Sequence, residues 1–207
     1  MKEVVYSRSV CKVVSMVLHP SVTPTIAVIL LLFGPTILFP LSLPAKGILI
    51  GVVAIDTLLL PLGAIGILQG TGVITDRSLQ DRKQRVIPIA TVALCYGLCI
   101  LFLSKIIFAF LVMRFIIAAL CCVMVAGIIT LFWKISLHMT SIGGVLGMLF
   151  SMCVTGLGNL QYALIVFLIL AGILAGVRLQ MGCHTPLQIA AGLLLGFFLT
   201  TGIVLLF

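Results

Sequence analysis

The sequence predicts an all-α fold: a polytopic membrane helix bundle of about six or seven transmembrane helices, forming one domain over residues 1–207. Of its 207 residues, 63% are hydrophobic and only 8% are charged, and the mean hydropathy is +1.44. A soluble domain has roughly a quarter of its residues charged, so this chain lacks the material for a water-soluble surface. Its apolar runs are long enough for six or seven helices of about 20 residues, the length that crosses a bilayer.

The charge balance favours anionic partners. Twelve Lys and Arg residues stand against four Asp and Glu, which gives a formal net charge of +8. We therefore expect the lipid headgroups of the bilayer or other phosphates as partners, and nucleic acid is the weaker hypothesis. The seven cysteines lie mostly inside apolar runs and form no CxxC pair, so most are interpreted as small hydrophobic residues.

Residues 1–20 have the pattern of an interfacial helix. Lys2, Arg8 and Lys12 stand beside apolar residues at helical spacings of three and four, which is typical of a helix lying in the membrane surface. A frayed tail is the alternative. A cleavable signal peptide is not indicated, because its apolar core would follow the first charges directly and small residues would mark the cut.

Seven apolar runs follow in order. The first begins at Thr23-Pro24, a capping hydroxyl with Pro in the first turn, which is a favourable helix start. The fifth and sixth runs, of about 16 residues each, are borderline as full crossings. No internal repeat is evident. The runs cover residues 23–43, 48–68, 86–103, 115–133, 142–157, 162–177 and 187–207.

If all seven runs cross, the segments 69–85, 134–141 and 178–186 emerge on one face. That face holds both His138 and His184 and the cations Arg77, Arg82, Lys83, Arg85, Lys134 and Arg178. The other face holds only Lys46, Lys105 and Arg114. A phosphate site explains the cluster, and so does a cytoplasmic, positively charged face. If these six cations belong to a site, neither face has an excess among the remaining Lys and Arg residues, so charge does not decide the orientation.

A histidine motif lies in the last of these segments. Arg178 is followed after five residues by His184, and Gln188 stands four positions further on. The segment resembles the third signature of the type 2 phosphatidic acid phosphatase superfamily, which has Ser-Arg, five residues, His, three residues and Asp. Thr185-Pro186 predicts a capped helix start, which would place His184 at the positive end of the last helix.

Two further segments extend the resemblance over roughly residues 77–188. Residues 134–138 read Lys-Ile-Ser-Leu-His and retain Ser136 and His138 at the spacing of the second signature, Pro-Ser-Gly-His. The first signature, a Lys followed seven residues later by Arg-Pro, is echoed by residues 82–88, Arg-Lys-Gln-Arg-Val-Ile-Pro. The three segments occur in the family's order and on one expected face.

The resemblance implies a lipid phosphatase that uses neither a metal nor a cofactor. His184 would attack phosphorus and form a phosphohistidine, and His138 would protonate the leaving lipid alcohol and then activate water. Gln188 would orient His184. The side chains implied to hold the phosphoryl oxygens or supply the charge beside them are Arg178, Arg85, Ser136, Arg82, Lys83 and Lys134.

Three positions depart from the family pattern. Gln188 replaces the Asp that orients the nucleophile. Its amide oxygen can still accept the imidazole N–H, but it cannot stabilise a positive ring as a carboxylate does, so reduced or absent activity is one outcome of this departure. Ser78 stands where the first signature has Lys, with Arg77, Arg82 or Lys83 as substitutes. Leu137 replaces the glycine of the second signature.

Several interpretations stay open. The histidines are also explained as interfacial residues beside lipid phosphates. The pair Gly143 and Gly144 would permit either close approach to phosphate or helix packing. Asp56, inside the second run, would pair with a buried cation or be protonated more readily than act in catalysis. A prenyl or phosphatidyl transferase with Asp76 and Asp81 is disfavoured, because it needs paired aspartate-rich motifs and magnesium.

Two functions follow as expectations: a phosphatase for lipid phosphate monoesters or diphosphates, and a degenerate protein that binds such lipids without turnover. Family analogy offers phosphatidate, phosphatidylglycerophosphate, polyprenyl diphosphate and lipid A phosphates as substrates, without a choice among them. The compact chain suggests a bacterial inner membrane protein, and the family resemblance implies that its active face is periplasmic. Protein partners are not indicated.

Overall fold

The computed structural model describes residues 7–72 and 82–206, and of residues 82–86 the backbone alone. The described chain is helical, and the only β-type pairing in it is an isolated bridge between Thr36 and Gly158. This confirms the predicted all-α class. The α-helices are α1 Arg8–Val17, α2 Thr23–Phe33, α3 Leu43–Ala54, α4 Leu60–Gly70, α5 Arg82–Leu103, α6 Phe110–Phe132, α7 Leu137–Val154, α8 Gln161–Gln180 and α9 Pro186–Leu206.

Five helices in the described ranges are long and apolar enough to cross a membrane, judged by length and composition. Four of them are α6 with its preceding 3₁₀ turn, α7, α8 and α9, and the fifth is the continuous helix Leu43–Gly70. Two other apolar helices, α2 and Ile87–Leu103, are shorter. The 11 residues of α2 rise only about 16 Å, against a hydrocarbon core of roughly 30 Å.

Several predicted boundaries were wrong. The run at 23–43 is not one helix, because α2 ends at Phe33, where Gly34 and Pro35 follow and proline cannot continue the hydrogen-bond ladder. The segment 134–141 is not a loop, since α7 begins at Leu137. The run at 162–177 is a helix of 20 residues, α8, and so is not short.

A π-helical segment, Ile55–Leu59, joins α3 to α4. Pro61 lies in the first turn of α4 and cannot donate to the carbonyl of residue 57, four positions earlier. A local widening of the helix is the usual way to accommodate a proline at membrane depth. Asp56 lies in this segment, 2% exposed, and its Oδ1 atom has no hydrogen-bond partner among the described residues.

Helices α7 and α9 make the closest contact in the bundle. A Cβ atom added to Gly143 would meet the Leu193 carbonyl, and one added to Gly196 would meet the Thr140 carbonyl. Gly144 is also at this contact, with its amide nitrogen 2.7 Å from the same added atom on Gly196. Of the two interpretations of the glycine pair, the structure therefore supports helix packing.

Helix α2 lies alongside α7 and runs in the same direction. At one end, beyond the C-terminus of α7, the Ile37 amide donates to the Leu157 carbonyl (2.9 Å). The backbone amide of Asn159 donates to the Pro35 carbonyl (2.8 Å). At the other end His19, before α2, packs on His138 at the N-terminus of α7. We call this second end of the bundle, with His19, His138, Arg178 and His184, the histidine face.

Candidate active site at the histidine face

His138 lies in the first turn of α7 and is half-buried. Its Nε2 atom is 3.2 Å from the carbonyl oxygen of Ser15, at the end of α1. Its ring meets that of His19 edge to face, with 5.4 Å between the centroids and 87° between the planes. Arg178 and His184 both act electrostatically on His138. The two histidines of the predicted site therefore lie in the same neighbourhood with Arg178.

His184 immediately precedes the capped start of α9. Its Nδ1 atom is 3.2 Å from Oε1 of Gln188, and the same oxygen accepts the amide of Thr185 at 3.1 Å. The backbone N–H of Gln188 donates in turn to Oγ1 of Thr185 at 3.4 Å. These reciprocal bonds form a capping box. Gln188 thus contacts His184 and also caps the helix, while its role in orienting a nucleophile stays a prediction.

Three predicted phosphate-binding residues have described positions near these histidines. Arg178 lies in the last turn of α8 and is half-buried, and its Nε atom has no hydrogen-bond partner in the described chain. Ser136 precedes α7 and is wholly buried, and its Oγ atom also has no hydrogen-bond partner among the described residues. Lys134 is half-buried in the segment between α6 and α7. Their role in binding phosphate stays a prediction.

The other three predicted phosphate ligands lie at the N-terminus of α5. The backbone of Arg82, Lys83 and Arg85 belongs to that helix, but their side chains lie outside the described part of the structure. Arg77, Ser78, Asp76 and Asp81 lie outside the described residues altogether. The expectation that residues 82–88 contribute side chains beside the histidines therefore stays a prediction.

His19 is the residue that sequence reasoning missed. It lies between α1 and α2, and its Nδ1 accepts the amide of Ser21 at 3.2 Å. Burial, and then the positive charge of Arg178, lower the pKa of His19 below the usual histidine value of 6.5. Its ring is therefore neutral at pH 7, beside His138.

A cavity of about 280 Å³ lies beside His19 and His138. Most of its wall is apolar and comes from α4, α5, α6 and α7, while the two imidazoles, Ser21 and Ser141 supply polar groups. A site of this kind suits an amphipathic ligand with one polar end. The apolar and aromatic side chains on the wall include Ile65, Ile89, Val92, Tyr96, Phe115 and Val123.

Two of the three cations assigned to the opposite face lie against aromatic rings. Lys46, 5% exposed at the start of α3, has its Nζ atom 4.7 Å from the ring centroids of both Phe33 and Phe39. The guanidinium of Arg114 lies 3.8 Å from the centroid of the Phe110 ring. These cation–π contacts stabilise single charges near a membrane surface. They explain both cations without a ligand site.

Among the described residues no group of three or more His, Cys, Asp or Glu side chains is arranged to hold a metal ion. The seven cysteines are free thiols, and four of them are buried. No family model, no curated protein and no solved structure matches the chain.

Proposed function

We propose that the chain is a metal-independent lipid phosphatase that hydrolyses a phosphate monoester or diphosphate headgroup through a phosphohistidine on His184. The observation that carries the proposal is the grouping of His138, Arg178 and His184, which belong to distant parts of the sequence, at one end of the bundle. Two imidazoles can act as nucleophile and proton donor. A guanidinium offers paired donors to phosphoryl oxygens.

The geometry at α9 supports His184 as the nucleophile. Because Gln188 Oε1 already accepts a backbone N–H, it faces the Nδ1 atom of His184 as an acceptor. The proton of the neutral ring is then on Nδ1 and the lone pair on Nε2. In the first step Nε2 bonds to phosphorus and the bond between phosphorus and the lipid oxygen breaks. His138, which is protonated in the complex with the anionic lipid, gives that oxygen a proton.

The second step returns both imidazoles to their first state. A water oxygen attacks phosphorus, the bond between phosphorus and nitrogen breaks, and inorganic phosphate leaves. His138 takes the proton that the water loses. Arg178 stays beside the phosphoryl oxygens in both steps, where its charge stabilises the negative charge that develops in the transition state.

The cavity beside His138 supports a lipid substrate. Its apolar wall can accept the hydrocarbon nearest to the headgroup, while the rest of the chain stays in the bilayer. A phosphate ester without an apolar group would gain little from such a wall, since apolar contact contributes where apolar surface leaves water. The class of substrate is therefore a phosphorylated membrane lipid.

The proposal places the protein in a bacterial inner membrane with the histidine face toward the periplasm. Cys183, a partly exposed free thiol next to His184, is suited to a test. In intact cells we expect a membrane-impermeant maleimide to label Cys183, and Cys183→Ser to remove the label. Labelling at that position only after the inner membrane is opened would place the face in the cytoplasm.

The activity is tested by phosphate release in detergent with EDTA present, from phosphatidate, phosphatidylglycerophosphate, polyprenyl diphosphate and lipid A. We expect release from at least one lipid, its loss in His184→Ala and in His138→Ala, and its retention in Lys105→Ala, an exposed cation on the opposite face. Release that survives loss of either histidine, or that requires magnesium, would overturn the proposal.

A second function is favoured by one observation, the amide at Gln188. Its bonds to Thr185 are those of a helix cap, so the residue has a structural use independent of catalysis. A protein that binds lipid phosphates without turnover is the corresponding function. In that case lipid binding would persist in the double variant without His138 and His184, and no substrate would release phosphate.

A further inference from the structure

Residues 15–21, which run from the last turn of α1 into the connection to α2, contact the first two turns of α7 at three points. The Ser15 carbonyl lies 3.2 Å from Nε2 of His138, and the His19 ring packs edge to face on the His138 ring. The hydroxyl of Ser141 lies 3.5 Å from the Pro20 carbonyl, to which it donates. One short segment therefore holds the imidazole of His138 on two sides and is itself bonded to the same helix.

His19 is held rigidly within this segment. Its carbonyl accepts the amides of Val22 (2.9 Å) and Thr23 (3.0 Å) and the hydroxyl of Thr23 (2.7 Å). Its Nδ1 accepts the amide of Ser21 at 3.2 Å. A ring fixed at both backbone and side chain can restrict its neighbour, whereas a mobile surface histidine cannot.

These contacts determine where the protons lie. A carbonyl oxygen can only accept, so the Nε2 atom of His138 carries a hydrogen directed at Ser15. When His138 is neutral, its lone pair is then on Nδ1. An amide nitrogen can only donate, so Nδ1 of His19 is the bare nitrogen and its Nε2 carries the hydrogen.

We propose that residues 15–21 are a positioning element for His138, in which the Ser15 carbonyl fixes the Nε2–H tautomer and the His19 ring fixes the ring orientation. Nδ1 of His138 is then the nitrogen that takes up a proton when the anionic lipid phosphate binds, gives it to the leaving lipid oxygen and later takes one from the attacking water. His19 is a positioning residue in this scheme. This assignment of the reacting nitrogen rests on the proposed phosphatase activity.

The tautomers can be measured without substrate. The chain has three histidines, so ¹⁵N-histidine labelling gives three imidazole spin systems, and loss of one in His138→Gln assigns that residue. In the parent protein in detergent at pH 7.5 we expect His138 as the Nε2–H tautomer and His184 as the Nδ1–H tautomer. His138 found mainly as the Nδ1–H tautomer would overturn the proposal.

Substitution of His19 separates positioning from folding. In His19→Ala the His138 ring is no longer held against the Ser15 carbonyl, so we expect His138 to become a mixture of tautomers. We expect kcat to fall roughly tenfold, part of the ~10²–10⁴ that acid–base catalysis contributes, while KM changes little. His19→Phe, which keeps a ring against His138, should restore most of the tautomer and of kcat. Lys12→Ala, on the exposed side of α1, is the matched control and should change neither quantity.

The two proposals fail in different ways. An unchanged His138 tautomer in a folded His19→Ala variant would overturn the positioning element, whatever the activity. Absence of phosphate release from every lipid, with the expected tautomers present, would overturn the phosphatase and with it the role of Nδ1 in proton transfer.

Discussion

The Nδ1 atom of His184 lies 3.2 Å from Oε1 of Gln188, which stands four residues further along the chain. The same oxygen accepts the Thr185 amide at 3.1 Å. A single amide oxygen therefore both orients the imidazole and caps the helix that follows it. The arrangement fixes the ring but supplies no negative charge to an imidazolium.

Gln188→Glu should raise turnover. Glu is the usual partner in a capping box, so the helix cap is retained, and a carboxylate forms a charge-assisted bond to the imidazole of about twice the neutral strength. We expect kcat to rise about tenfold, which corresponds to ~1.4 kcal/mol of transition-state stabilisation. Gln188→Ala, which loses both bonds, should lower kcat. Equal rates for the two variants would contradict an orienting role.

Gly196→Ala should destabilise the bundle. An added methyl group would overlap the Thr140 carbonyl and lie 2.7 Å from the Gly144 amide nitrogen, and overpacking of this kind costs about 1–3 kcal/mol. Gly202 lies on the same helix with nothing within 4 Å of an added Cβ. Thermal midpoints in detergent should fall for Gly196→Ala and stay nearly constant for Gly202→Ala. An equal change in thermal midpoint in both variants would show that the close α7–α9 contact is absent.

His19 should make the protein less stable in mild acid. Its pKa in the folded protein is lowered from 6.5 by burial and by Arg178, so below about pH 6.5 the unfolded chain takes up a proton that the folded chain does not. Stability is then lost as pH falls from 6.5 toward the lowered value. The drop in thermal midpoint between pH 7.5 and 5.5 should be smaller in His19→Phe. A drop of unchanged size would contradict the lowered pKa.

Asp56→Leu should stabilise the protein and leave phosphate release unchanged. Asp56 is 2% exposed in a membrane-length helix, and its Oδ1 has no partner in the described chain. An unsatisfied buried polar group costs about 1–3 kcal/mol, which an aliphatic side chain avoids. We expect a higher thermal midpoint. Loss of phosphate release in a folded variant would instead give Asp56 a functional role.

Much of the helical framework could be predicted from the sequence, because apolar length and capping residues act locally. Thr185 and Gln188 have the spacing of a capping box, and α9 begins there. The end of α2 at Phe33 was also visible in principle, since Gly34-Pro35 follows. It was missed because the run stays apolar across this break, and hydropathy alone does not register a change in backbone direction.

The grouping of residues at the histidine face could be predicted only in part. Parity of crossings placed His138 and His184 on one face, and the structure gives an electrostatic interaction between them. The contact of His19 with His138 could not be foreseen, because it depends on how the end of α1 and the residues after it pack against the start of α7. Packing between distant segments leaves no periodicity in the sequence.

The central claim is tested most directly by looking for phosphate on His184. A lipid substrate labelled in its phosphate is mixed with excess enzyme for a single turnover. The reaction is quenched in alkali, in which phosphohistidine survives, and the protein is then digested for mass spectrometry. We predict label on His184 in the parent and none in His184→Ala. Release of phosphate from the lipid with no label on the protein at any time would contradict the account.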